Sequence, residues 1–222
     1  MIDEAIATRT VSNEPSKVYD ISKIDFERLR QEFRRTQAPN TTVQNLRLVI
    51  EKRLQRMIAQ NPLRTDFQEH YEQIVREYNQ EKDRVTIERT FEELLRFVGE
   101  LDEEQSRAIR EGLDPESLVL YDLLMKPALA PNEIAQIKKV AMELLSTLKE
   151  EKLKVDQWRD KEGTRDAVHS AIFDFLYSDK TGLPSAYSED EIKDRSDRIF
   201  QHVFYAYPVI PSPIFAVGAA AE

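Results

Sequence analysis

With 222 residues and 41% apolar content, the chain has the length and material for one large domain or two small ones around a real core. Only 5 glycines and a 33% charged fraction count against a sheet-rich fold, whose turns demand glycine and whose strands demand β-branched runs, so an all-α protein is expected. The absence of cysteine excludes disulfides and thiolate metal sites, and a formal net charge of −9 argues against non-specific nucleic-acid binding by the whole surface.

Residues 1–20 show no apolar period and hold Thr8, Thr10, Ser12, Asn13, Pro15 and Ser16, the composition of a linker or flexible segment. Met1-Ile2-Asp3-Glu4 lacks the basic start of a signal peptide, and no apolar run is long enough for a membrane span, so the expectation is a cytoplasmic protein. From residue 21 to 208 the pattern is helical, with about seven to eight helices in a compact or elongated bundle. Phe26, Leu29 and Phe33 mark a short basic helix, closed by Gln37-Ala38-Pro39-Asn40. Thr42 opens a longer one bearing Val43, Leu46, Ile50, Leu54 and Met57 at spacings of three and four, and Asn61-Pro62 ends it. A third spans about 66–82, with Phe67, Tyr71, Ile74, Val75 and Tyr78 inward. Residues 85–110 repeat the pattern through Ile87, Phe91, Leu94, Leu95 and Val98, with Asp102-Glu103-Glu104-Gln105 as a capping box that splits the run.

Next comes a stop and restart. Gly112 suits the left-handed end of one helix, Asp114 the cap of the next, Pro115 its first position, and Leu113 with Leu118 a hydrophobic staple. Leu118, Tyr121 and Leu124 then share a side. Asn132 is the expected cap of the cleanest helix, which carries Ile134, Ile137, Val140, Ala141, Leu144, Leu145 and Leu148. Thr164 is the expected cap of another with Ala167, Val168, Ala171, Ile172, Phe175 and Leu176 inward, ended by Gly182-Leu183-Pro184. Ser188-Glu189-Asp190-Glu191 reads as a capping box for a last helix that stops before Pro208, and 209–222 as an extended tail.

Charge is uneven. Residues 26–64 hold nine cations, among them Arg47, Lys52, Arg53, Arg56 and Arg64, against Glu27, Glu32 and Glu51, so the segment is +6 and the remainder −15. The chain reads as a basic half, 25–111, and an acidic half, 112–208. Two arrangements fit: the five named cations face DNA phosphate or an acidic partner, or the basic helices pack beside acidic ones within the molecule, which is the commoner outcome.

A search for chemistry finds no phosphate-binding glycine loop. His70, His169 and His202 are scattered, so no metal, cofactor or catalytic residue is expected. Glu150-Glu151-Lys152 has the spacing of a nuclease E-x-K element but lacks the supporting Pro-Asp, and reads as a solvated helix end. His169 reads as a core-edge histidine with one hydrogen bond, and the single tryptophan, Trp158, as a core plug.

The stretch Gly112-Leu113-Asp114-Pro115-Glu116-Ser117-Leu118-Val119-Leu120-Tyr121-Asp122-Leu123-Leu124 resembles the Gly-Leu, acidic, Tyr-Asp-Ala-Leu-like block near the C-terminus of the R subunit of type I restriction enzymes. Val155-Asp156-Gln157-Trp158, continuing to Arg165-Asp166-Ala167, looks like that family's Asp-Trp block and Arg-Ala helix, with Gln157 inserted and Leu123 where alanine is commoner. The resemblance covers roughly 25–208. It implies a subunit with a nuclease domain, two DNA-translocating motor domains and a helical C-terminal domain that docks on the methyltransferase and specificity subunits, of which only the last is here. The expectation is thus a non-catalytic assembly domain, with guidance of the duplex DNA backbone by 26–64 as the alternative. A hydrolase built on scattered carboxylates has no positive sign.

Overall fold

The computed structural model describes residues 26–80 and 83–216, which contain helices and no strand. The all-α expectation therefore holds, and eight helices have seven residues or more. The linker expected over 1–20 lies outside the described residues.

Helix α1 (Phe26–Arg35) buries Leu29 and Phe33, and the Phe33 ring stacks on Phe91 at 3.8 Å between centroids. Pro39 does not close α1. It stands at the first position of α2 (Pro39–Gln60), where its missing amide costs no hydrogen bond, so the helix starts three residues before Thr42. Asn61 then ends α2 as expected. Helix α3 (Thr65–Gln80) runs antiparallel to α2: Tyr78 donates its hydroxyl to Asn40 at 3.1 Å, and Tyr71 donates to Glu51 at 2.6 Å. Helix α4 (Arg84–Gln105) is capped by Asp83, whose carboxylate accepts from the Thr86 amide at 2.7 Å. The Asp102–Gln105 capping box does not form; α4 continues through it and breaks at Ser106, before α5 (Arg107–Glu111). The apolar ring of Leu101 and Val98, both fully buried, keeps that last turn on the core.

Helix α6 (Pro115–Leu124) is short and nearly enclosed. Ser117, Leu118, Val119, Leu120, Tyr121, Leu123 and Leu124 are all buried, so the expected single apolar side becomes a central rod wrapped by its neighbours. Helix α7 (Pro131–Thr147) begins two residues earlier than the Asn132 cap predicts. Pro131 takes the first position, and the Glu133 carboxylate accepts from the Ala130 amide at 2.7 Å, which leaves Asn132 inside the first turn and exposed. A π turn (Leu148–Lys152) follows, closed by the Leu153 amide on the Leu148 carbonyl at 2.9 Å.

Helix α8 (Glu162–Tyr177) starts after Lys161, so Thr164 is not its cap; its hydroxyl donates to the Lys161 carbonyl at 2.8 Å and also reaches that of Trp158. Ala167 faces solvent rather than the core. Helix α9 (Glu189–Ala206) has the expected capping box, in which Ser188 and Glu191 each accept the other's amide, at 3.3 and 2.9 Å. The stretch after it, expected as an extended tail, folds back over 209–216. Ser212 is buried and donates to the Ala206 carbonyl at 2.5 Å, α10 (Pro213–Ala216) follows, and Phe215 stacks on Tyr207.

Buried side chains form two apolar cores that share no residue. One gathers Leu29 to Leu101 from α1–α4, the other Ala108 to Tyr207 from α5–α9. Each fully buried leucine in them contributes about 1.5–3 kcal/mol before entropy is subtracted.

Candidate functional site

The two cores meet at the stretch between Gly112 and Leu124. Gly112 sits at φ +69°, the Leu113 amide bonds the Ala108 carbonyl at 2.9 Å, and the Gly112 amide bonds that of Ile109 at 3.1 Å, which together close α5 in a Schellman motif. Asp114 caps α6 through the amides of Glu116 and Ser117 at 3.0 and 2.9 Å, and Ser117 adds its hydroxyl at 2.5 Å. Burial pushes the Asp114 carboxyl up, but these donors outweigh it and hold it below the ordinary aspartate value. Pro115 stands at the first helical position, and Leu113 and Leu118 are both buried at their staple positions.

Two side chains of this stretch meet charged partners from other helices. Tyr121 is buried under the Lys138 ammonium, which bonds Glu111 at 2.8 Å; burial, with Glu111 nearby, raises the phenol above its usual value. Asp122, only 8% exposed, receives Arg107 at both carboxylate oxygens and the Asn61 amide at 2.8 Å. Arg107 also bonds Glu104 at 3.1 Å, and Glu104 accepts from Arg64 at 2.9 Å. Polar side chains from α4, α5, α6 and the end of α2 therefore bolt one core to the other, where a continuous apolar interface is absent among the described residues. Gln60 adds a weaker bond, 3.4 Å to the Ile214 carbonyl, from α2 to α10.

The five candidate contact cations do not form one patch. Arg47 lies against Glu51 and over the Tyr78 ring, Arg53 pairs with Asp102 and Gln105, and Arg64 belongs to the joint. Lys52 and Arg56 are exposed and make no ion pair among the described residues. The basic half is also less basic than its label: residues 25–111 hold 16 Arg and Lys against 18 Asp and Glu. Carboxylates of α4 neutralise cations of α1 and α2 directly, as Arg30 with Glu92 and Arg53 with Asp102 show.

Trp158 is buried and donates its indole N–H to the Tyr207 carbonyl at 2.8 Å. Tyr207 in turn donates to Glu116, which also holds Lys149, both at 2.5 Å. His169 stands at the core edge with one 2.7 Å hydrogen bond, to Asp197. Glu150 accepts from Ser146 at 3.0 Å on an exposed turn. Among the described residues, no three His, Asp or Glu side chains are placed to share a metal ion, and no helix is long and apolar enough to cross a membrane.

One feature is new to the structure. The α8–α9 hairpin carries half-exposed aromatic rings: Phe173 stacks on Tyr177 at 5.5 Å, His169 packs on Phe200 at 4.8 Å, and Phe200 continues to Phe204, over which Arg159 lies. Tyr177, Phe204 and Tyr205 are 54%, 37% and 65% exposed. The spacing of four in Phe173/Tyr177 and in Phe200/Phe204 is the available signal, but a stripe beside a core stripe reads as part of the core.

These features define a two-core helical domain with a polar joint and an aromatic outer ridge. A family model for the C-terminal region of type I restriction enzyme HindI endonuclease subunit-like proteins matches residues 1–204, and the chain belongs to that family. No curated protein and no solved structure matches it.

Proposed function

We propose that this chain is a non-catalytic assembly domain, which docks the endonuclease subunit on the methyltransferase and specificity subunits of a type I restriction complex in the cytoplasm. The observation that supports this reading is the aromatic ridge of α8 and α9. Rings that are half covered by their own fold have lost most of their freedom already, so a partner gains their apolar area at small entropic cost, and aromatic residues dominate protein interfaces for that reason. The rest of the hairpin is anchored: Val168, Ile172 and Leu176 of α8, and Ile199 and Val203 of α9, lie in the core. A ridge held this firmly is a surface, not a loose end.

Mixing the chain with its cognate methyltransferase and specificity subunits, and following co-sedimentation, tests the reading. Association at micromolar concentration is expected, weakened at least about tenfold by the double change Tyr177→Ala and Phe204→Ala, since two interface aromatics commonly carry more than 1.4 kcal/mol. Absence of association with folded wild-type chain overturns it.

A further inference from the structure

We infer that the solvent face of α2 is a contact surface for the phosphate backbone of duplex DNA. Between Pro39 and Arg64 the sequence holds one carboxylate, Glu51, and that one is occupied by Tyr71 and Arg47. The exposed side chains of α2 are Asn40, Thr41, Gln44, Leu48, Lys52, Gln55 and Arg56, none acidic. Lys52 and Arg56 are one helical turn apart, so their cations rise from the same side. Hydroxyl, amide, ammonium and guanidinium donors on one face are the groups that phosphodiester oxygens accept from.

The other long helices differ. On α3 and α4, Arg76 and Arg89 line one groove with Glu69 and Glu77, and Arg96 lines another with Glu77, Glu93 and Glu100, so phosphate approaching either meets at least as many negative charges as positive ones. The net charge of −9 is spread over the whole chain, and carboxylates more than about 10 Å away are largely screened at 0.1 M salt, while the near ones, Glu51 and Asp102, are paired with Arg47 and Arg53. At 22 residues α2 is about 33 Å long, which matches about ten base pairs of duplex. Arg47, Arg53 and Arg64 are excluded from this surface, being tied to Glu51, Asp102 and Glu104. The site lies on a different helix from the aromatic ridge, so the inference stands or falls separately from the docking reading.

Fluorescence anisotropy of the full chain with a labelled duplex of about 20 base pairs, at about 50 mM salt, tests it. Binding is expected, weakened about tenfold by the double change Lys52→Gln and Arg56→Gln, with the slope of log affinity against log salt reduced by about 2. The charge-preserving pair Lys52→Arg and Arg56→Lys is expected to bind like wild type, and so is the pair Arg76→Gln and Arg96→Gln on the grooves. Undetectable binding at low salt, or affinity and slope unchanged by Lys52→Gln and Arg56→Gln, overturns the inference. So does polyglutamate binding with equal affinity and equal dependence on those two residues, because the face then selects acidic protein and not DNA.

Discussion

The side-chain amide of Asn61 donates to the Asp122 carboxylate at 2.8 Å, joining the end of α2 to α6 across 61 residues of chain. Asn61 is fully buried, and the same carboxylate neutralises Arg107. Removing it strands both donors. Asp122→Ala is therefore expected to destabilise the fold by about 3 kcal/mol, with Asp122→Asn costing less because one acceptor stays in place. Urea denaturation of the two variants measures the difference. Equal stability of Asp122→Ala and wild type would show that the joint contributes nothing.

Gly112 and Gly182 separate two reasons for glycine. An added Cβ at Gly112 meets nothing within 4 Å, so Gly112→Ala bears only the cost of φ +69°, about 1–2 kcal/mol. At Gly182 the same atom would fall well inside contact distance of the Leu176 and Ser178 carbonyl oxygens, and backbone cannot step aside as a side-chain tip can. Gly182→Ala is expected to cost more, about 3 kcal/mol, as overpacking against rigid neighbours does. In thermal melts Gly112→Ala should unfold at a higher temperature than Gly182→Ala, and Gly112→Asn at a higher temperature still, because asparagine tolerates the left-handed region.

The stop at Gly112 and the cap at Asp114 were legible because each depends on residues within one turn of itself. Proline is ambiguous for a related reason: Pro39 and Pro131 are equally good as the last residue of a loop and the first of a helix, and the helix wins by hiding the missing amide. Thr164 has the residue type of a cap, yet its hydroxyl donates to the carbonyls of Trp158 and Lys161, which the turn before α8 brings within hydrogen-bond reach. The joint was not legible at all. Nothing local marks Asn61 as the partner of Asp122, or Arg64 of Glu104, because such pairs are set by how α2, α4 and α6 cross. For the same reason the +6 segment could not be divided in advance into internal cations and free ones.

His202 gives the fold a specific acid response. It is buried edge-on to Tyr207 with Nε2 unpartnered, and burial pulls its pKa from 6.5 down to about 4. The unfolded chain takes up a proton near 6.5 and the folded one only near 4, so the neutral folded form is fully favoured above pH 6.5. As pH falls from 6.5 to 4, stability should drop by about 3 kcal/mol, and below pH 4 this group adds no further loss. Carboxylates held low, such as Glu111 by Lys138 and Asp114 by its cap, act in a lower window, losing their contribution as pH falls through their folded values. Urea midpoints between pH 7 and 4.5 isolate the histidine effect, and His202→Leu should flatten the curve there.

Trp158 turns the two-core arrangement into something measurable. It is the only tryptophan, it is 1% exposed, and it belongs to the core of α5–α9, so its emission reports that core alone, whereas far-ultraviolet dichroism reports helices of both. In the wild-type chain the joint couples the cores, and the two signals should trace one urea transition. Asp122→Ala removes the carboxylate that receives Asn61 from one side and Arg107 from the other, so the dichroism transition should broaden or split while fluorescence stays sharp. Trp158→Phe does the opposite: it loses the hydrogen bond to the Tyr207 carbonyl and leaves a void, costing about 2–3 kcal/mol, but it weakens one core and leaves the bolt intact. Coincident transitions in Asp122→Ala would mean that the cores cooperate through the backbone of α4 and α5, and that the polar joint adds stability without adding coupling.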